Sequence, residues 1–306
     1  MRKLFPLTFL FILLISCEDH KVNIFLNLKK GQTYNQTMTK KETVTQTVNG
    51  QPETIITSIT RRMAYLVKGG NNDNYNMEAK YKRLSIGMEF PRDTFQFNSE
   101  QRDGQDTFST VLSKVTDQPF FIKLKKDGEV KDIRGIDSLF ISMFAEYPQL
   151  SGNNDQNIEA ALLREFGSKA LTGGLGRVVA IFPDNPVAKG DTWAVITHSE
   201  AAGGTSMKFT YQYKGRIDSN YLIHVNAVIK NDNNSYVKTS GLTGKYNLSG
   251  ALSSDIQVNK ATGWITEAQI NEMLKGTSQI KGNLKKIPEG KPTPISFKTE
   301  ITISDR

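Results

Sequence analysis

His20, His198 and His224 are the only histidines, and Cys17 the only cysteine, in 306 residues. Metal centres built on one strand or one helix face need histidines two to four residues apart, and these three offer no such pair. A hydrolytic triad assembles in space and needs no fixed spacing, but no Gly-x-Ser-x-Gly elbow is present to hold a strained nucleophile. His224 alternates with Ile223 and Val225 and shares a face with Asn226, which reads as a solvent-facing strand position. His198 ends the run opened by Trp193, and His20 precedes the first patterned segment. Asp127 and Asp132 flank a glycine hairpin, and Asp184 and Asp191 bracket a proline loop. Aspartate serves turns at such places, so neither pair reads as a catalytic acid and base. Thr172-Gly173-Gly174-Leu175-Gly176 follows a helical run and lacks the Lys-Ser/Thr of a phosphate loop, so it reads as a helix stop. The expectation is a protein without catalytic residues, metal or cofactor, and not an enzyme.

The remaining candidate for chemistry is the thiol of Cys17. Met1-Arg2-Lys3 is basic, and Leu4 to Ser16 is an uncharged run of about 13 residues, short of the roughly 20 needed to span a bilayer. Leu14-Ile15-Ser16-Cys17 resembles the lipobox of bacterial lipoproteins. That resemblance implies cleavage before Cys17, a diacylglycerol on its thiol and acylation of the new N-terminus. Residues 1–16 are then a signal peptide, and the membrane is a partner through the lipid, since two or three acyl chains anchor firmly. The lipoprotein resemblance implies a cell-surface export signal for Glu18-Asp19, and the residues themselves read equally as an ordinary polar tether. A single cysteine leaves no intramolecular disulfide framework. Loss of Arg2 and Lys3 lowers Lys+Arg from 39 to 37 against 31 acids, a net charge of about +6. The basic residues are scattered and no aromatic stripe interleaves them, so nucleic acid is not an expected partner.

The elements that would carry a site read mainly as strands. Ile295, Phe297, Thr299, Ile301 and Ile303 alternate with polar residues, as do Tyr221 to Ile229 and Phe209 to Tyr213. This is the pattern of antiparallel strands with one face to a core and one to water. Asn49-Gly50, Gly69 to Asn74 and Asp127-Gly128 read as the turns of a meander. Two helices are expected. Asp137 caps one carrying Leu139, Phe140, Met143, Phe144 and Tyr147 up to Pro148, and the other carries Ile158, Leu162, Phe166 and Ala170. Lys30-Gly31-Gln32-Thr33-Tyr34 matches Lys189-Gly190-Asp191-Thr192-Trp193, and Phe120–Val130 matches Asp255–Ile265. These matches raise the expectation of two related halves, with extra residues of the first held in Pro91–Asp106.

Pro119–Leu139 (PFFIKLKKDGEVKDIRGIDSL), Ile181–Trp193 (IFPDNPVAKGDTW) and Pro294–Ile303 (PISFKTEITI), with the lipobox, resemble a family of uncharacterised Bacteroidota lipoproteins. More loosely, the layout is similar to periplasmic lipoprotein carriers of the LolA and LolB type. That likeness implies a curved half-barrel closed by helices around an acyl-chain cavity. The expected fold is mainly β with minor α: a curved antiparallel sheet or half-barrel covered by about two helices. Its parts are a signal peptide (1–16), a lipidated tether (17–29) and one β-rich domain (30–306), with repeats at 30–134 and 189–306 and a helical linker at 135–175. The expected function is that of a lipid-anchored cell-envelope protein, at the outer membrane, binding an apolar ligand on the concave face. The alternative is a scaffold that docks an envelope protein.

Overall fold

The computed structural model describes residues 20–48, 50–101, 106–147, 156–172, 182–199, 205–230, 237–239, 242–281 and 291–306. Their strands form one antiparallel sheet. β1 (Thr33–Val48), β2 (Gln51–Gly70), β3 (Asn74–Glu89), β4 (Thr94–Asn98), β5 (Phe120–Lys125) and β6 (Val130–Arg134) form its first half. β7 (Thr192–Ser199), β8 (Thr205–Ile217), β9 (Asn220–Lys230), β10 (Val237–Thr239), β11 (Leu242–Asn259), β12 (Ile265–Lys281) and β13 (Thr293–Ser304) form the second. The order across the sheet is β6-β5-β3-β2-β1-β13-β12-β11-β9-β8-β7, with β4 beside β3 and β10 beside β11. The sheet is open and curved, as the alternating strands and tight turns lead one to expect. β1 passes to β2 with Val48 opposite Gln51, and Gly50 between them takes the left-handed conformation of a tight hairpin turn (φ 79°).

Curvature has a local cause in β11 and β12. A Cβ on Gly250 would lie 1.9 Å from the Met273 carbonyl oxygen, and one on Gly276 would lie 1.8 Å from that of Asn247. Only glycine lets the two long strands bend this closely against each other, the usual means of turning a sheet.

The apolar face is covered at its base by α1 (Thr107–Val115), α2 (Ile136–Ala145), α3 (Gln156–Phe166) and a further helical turn at 168–172. Phe120, Phe140, Phe144, Phe166 and Leu171 close on Tyr81 and Leu84 of β3 in one core. Several expectations change here. α1 was not legible as a helix, and it follows directly on the segment Pro91–Asp106 that reads as irregular and that holds β4. It starts because Asp106 caps it, accepting from the N–H groups of Phe108 and Ser109. Asp137 does not cap α2; Gly135 precedes that helix with φ 96°. The Asp137 carboxylate instead accepts from the backbone N–H (2.7 Å) and hydroxyl (2.5 Å) of Ser168, capping the turn at 168–172. The second expected helix is interrupted at Gly167, so Leu171, not Ala170, takes the next core position.

Part of the segment expected as a tether (17–29) is instead packed against the sheet. From Lys21 to Leu28 exposed and buried residues alternate, and Val22, Ile24, Leu26 and Leu28 all enter the core. Val22 exchanges both backbone hydrogen bonds with Val187, and Asn27 N–H donates to the Thr262 carbonyl. This strap crosses Gly263, where a Cβ would sit 2.1 Å from the Phe25 carbonyl oxygen.

Turn geometry recurs between the halves. Gly31 N–H donates to Val67 O (2.8 Å) and Val67 N–H to Gln32 O (3.0 Å). In the second half Gly190 N–H donates to Tyr213 O (2.8 Å) and Tyr213 N–H to Asp191 O (3.0 Å). Gly69 and Gly215, each two residues on, both have positive φ at a register shift. Lys126 N–H donates to Asp73 O and Lys260 N–H to Ser219 O, both at 2.9 Å. The extra length of the first half is not confined to Pro91–Asp106. β1 and β2 (16 and 20 residues) are also longer than β7 and β8 (8 and 13 residues).

Candidate functional site: the concave face beyond the helices

Paired residues stand side by side, so register defines rows across the sheet. One row on the core face runs Ile55, Val44, Phe297, Leu274, Gly250, Ile229 and Met207, over β2, β1, β13, β12, β11, β9 and β8. Six strand spacings of about 4.8 Å make it roughly 29 Å long. Ile229 and Met207 are buried, Val44, Phe297 and Leu274 are half-buried, and Ile55 is 37% exposed. Beside it, Ile295, Gly276 and Leu248 form a second apolar row over β13, β12 and β11. The two bending glycines leave the centre of both rows without a side chain.

Polar groups bound these rows on both sides. Toward the helices, Glu42, Thr299 and Glu272 stand side by side on β1, β13 and β12. Lys40 lies next along β1 and reaches Glu165 of α3 at 2.9 Å and Glu42 at 3.9 Å. Away from the helices, the Gln46 side-chain amide donates to Ser278 Oγ (2.9 Å) and Thr293 Oγ1 (3.2 Å). The concave face therefore holds a packed base, a charged band, an apolar strip and a polar closure, in that order along β1. Such a strip can receive an elongated apolar group, and its flanking hydroxyls and charges can hold a polar end.

The base is filled by aromatic side chains whose burial shows in their acidity. Burial raises the Tyr65 phenol from 10.0 to about 12, partly opposed by the Arg61 guanidinium. Tyr81 and Tyr211 are also raised, each by burial first. The Tyr81 hydroxyl donates to the Phe166 carbonyl at 2.6 Å, tying β3 to the end of α3.

The residues singled out from sequence lie elsewhere. Cys17 is outside the described residues, as are the glycines of Thr172–Gly176. His20 is exposed beside the strap. In β7, His198 pairs with Ser206 of β8. His224 faces outward, its Nδ1 2.7 Å from Asp255 and its Nε2 3.1 Å from the Asn226 amide. That arrangement brings a carboxylate to one ring nitrogen and an amide, not a serine, to the other. Asp127 accepts from Glu129 N–H in its turn, Asp132 pairs with Arg134, and Asp191 accepts from Ala188 N–H. Each of these three aspartates thus serves a turn or an ion pair within its own loop or strand. The apolar strip was not found from sequence because it exists only in the register of seven strands. The available signal was Gly250 and Gly276 inside otherwise regular strands.

Among the described residues no helix is long and apolar enough to cross a membrane, which says nothing of crossing by strands. The profile of a family of unknown function, DUF6263, matches residues 72–265, more than half of the chain. No curated protein matches the chain. Among solved structures the chain is similar to lipovitellin, solved for its lipid–protein interactions, at 11% identity and a TM-score of 0.46. That match covers 91% of this chain, which spans only 25% of the lipovitellin chain. It is also similar to DynF from the dynemicin pathway of Micromonospora chersina (7% identity, 94% and 86% of the two chains, TM-score 0.22). An outer membrane channel from Pseudomonas putida F1 matches at 6% identity, 92% and 97% coverage and a TM-score of 0.21. Scores below 0.5 carry neither fold nor function from these proteins to this one.

Proposed function

The chain belongs to DUF6263, a family of unknown function, and we propose that it is a lipid-anchored envelope protein that receives an acyl chain along the concave face of its sheet. The observation that carries this reading is the apolar row from Ile55 to Met207, half-buried at Val44, Phe297 and Leu274. A single acyl chain needs about 15 Å, half of a bilayer core of roughly 30 Å. The row is nearly twice that length, and its polar borders suit a lipid with one polar end. Apolar burial of about 25 cal/mol per Å² supplies the affinity, and the role is binding, not catalysis. Attachment through Cys17 keeps the strip near its ligand's source.

The test is titration of the purified chain with a fluorescent fatty acid, beside native mass spectrometry for co-purifying lipid. Saturable binding lost in Leu274→Asp and retained in Lys208→Ala supports the reading. No bound lipid and no saturable titration would sink it. For the anchor, Cys17→Ser should lose palmitate labelling and membrane retention; a variant still labelled and retained overturns that part.

A second reading, docking of an envelope protein, is favoured by one feature. Ile196 and Val228 are 61% and 62% exposed and flank Lys208 on the opposite face, close to the sheet edge at β7. Such exposure is unusual for neighbouring branched residues. Crosslinking from this patch that recovers only background proteins argues against it.

A further inference from the structure

The convex side of β2 and β3 carries a charge arrangement that does not help the fold. Arg62 stands directly opposite Arg83, and like charges at paired positions repel. The pairing arises from a register shift between Arg62 and Met63, after which Met63 faces Tyr81. Lys82 is the extra residue. Tyr81 and Leu84 both turn into the core, so Lys82 and Arg83 are both sent outward. Bulges commonly re-aim side chains in this way beside binding sites. Lys80 also faces out, opposite Ala64.

The four cations line one cleft of about 490 Å³, in which Ala64 is small and Glu100 is the single carboxylate. Glu100 lies 3.3 Å from Arg83, Glu78 lies 3.6 Å from Lys80, and Asp117 pairs with Lys82. The pairs of Arg83 and Lys82 are exposed and that of Lys80 is half-exposed, and such pairs contribute little and give way readily to a better anion. Arg62, at the centre, pairs with no acid among the described residues. Two guanidinium forks and two ammonium groups around a small floor match the several oxygens of a phosphoryl group.

We propose that this cleft binds a phosphate group, presented either as a free phosphate or as the headgroup of an anionic phospholipid. The site is separate from the apolar strip, on the other face of the sheet, and does not depend on it. Calorimetric titration of the full chain with inorganic phosphate addresses the free anion. Flotation with phosphatidylcholine vesicles, with and without phosphatidic acid, addresses the headgroup. Arg62→Ala/Arg83→Ala should weaken whichever probe binds by at least about tenfold, whereas Lys208→Ala, which removes a charge elsewhere on the same face, should not. The double variant should melt no lower than the parent, because it removes a repulsion; binding lost without stability lost separates a ligand site from a structural role. Binding of phosphate alone assigns the free anion, and binding to phosphatidic acid vesicles alone assigns the lipid headgroup. No saturable binding of either probe, or equal loss in the double variant and Lys208→Ala, overturns the proposal.

Discussion

The hydroxyl of Tyr75 donates to the carbonyl oxygen of Leu26 at 3.0 Å and accepts from the N–H of Leu28 at 3.2 Å. One side chain of β3 thus satisfies two backbone groups of the strap that closes the base of the sheet. Tyr75→Phe leaves both groups without that partner, at a cost of roughly 1–3 kcal/mol for each buried group. The expected result is a lower urea midpoint, equivalent to a loss of about 2 kcal/mol or more of unfolding free energy, together with faster tryptic cleavage at Lys21 or Lys29. An unchanged midpoint would show that apolar packing of Ile24 and Leu26 alone holds the strap.

Gly250→Ala and Gly276→Ala each place a methyl group within 2 Å of a carbonyl oxygen on the neighbouring strand. Neither obstacle is the end of a flexible side chain, so the strands must separate. Each substitution should cost about 2 kcal/mol or more, in the range of other backbone strain effects. It should also change fatty-acid binding, because the same bend floors the apolar strip. Thermal unfolding and the titration read the two effects, and parent-like values in both would remove the glycines from the account of curvature.

Gly167 sits between α3 and the turn at 168–172, where a Cβ would lie 2.4 Å from Leu163 O and 2.7 Å from the Asp137 carboxylate. Asp137→Ala removes the cap on Ser168 and should destabilise by about 1 kcal/mol, the usual value of a lost cap. Gly167→Ala should cost more, because it displaces the carboxylate and crowds the helix as well. Hydrogen exchange should show faster opening of residues 168–172 in both variants. Exchange confined to other segments would contradict the assignment.

These joints show which parts of the fold local pattern conveys. β13 was legible because Ile295, Phe297, Thr299, Ile301 and Ile303 alternate with polar residues, and the turn before β2 because Gly50 takes a backbone that favours glycine. Alternation also gives the face of His224 correctly. Helix α1 was not legible, since Asp106 caps a short segment whose buried apolar residues, Val111, Leu112 and Val115, are too few to stand out. Asp137 has the residue type and position of a local cap, yet its partner is 31 residues away, and sequence carries no sign of that. The strap was misread because four alternating apolar residues next to a signal-like segment look like a linker until the sheet supplies their partners. The candidate site is the hardest case: Val44, Phe297 and Leu274 become neighbours only once first and last strands pair.

Buried tyrosines give the fold a defined alkaline limit. Tyr65 is raised by burial from 10.0 to about 12, and Tyr81 and Tyr211 are raised in the same direction. Below pH 10 these phenols are protonated in folded and unfolded chains alike, so their burial contributes no pH dependence there. Above pH 10 the unfolded chain releases its phenolic protons while the folded chain keeps them. The unfolded state then binds fewer protons, and stability falls by about 1.4 kcal/mol per pH unit for each such group. Tyr65 alone accounts for on the order of 3 kcal/mol between pH 10 and 12, and Tyr81 and Tyr211 add to it. Cooperative unfolding is expected inside that window, with phenolate absorbance of the buried group appearing together with loss of the folded signal. Tyr65→Phe should show a smaller fall in stability from pH 10 to pH 11 than the parent chain, even where it is less stable at neutral pH. If Tyr65, Tyr81 and Tyr211 ionise at their ordinary value while the sheet remains folded, their burial does not set the alkaline limit.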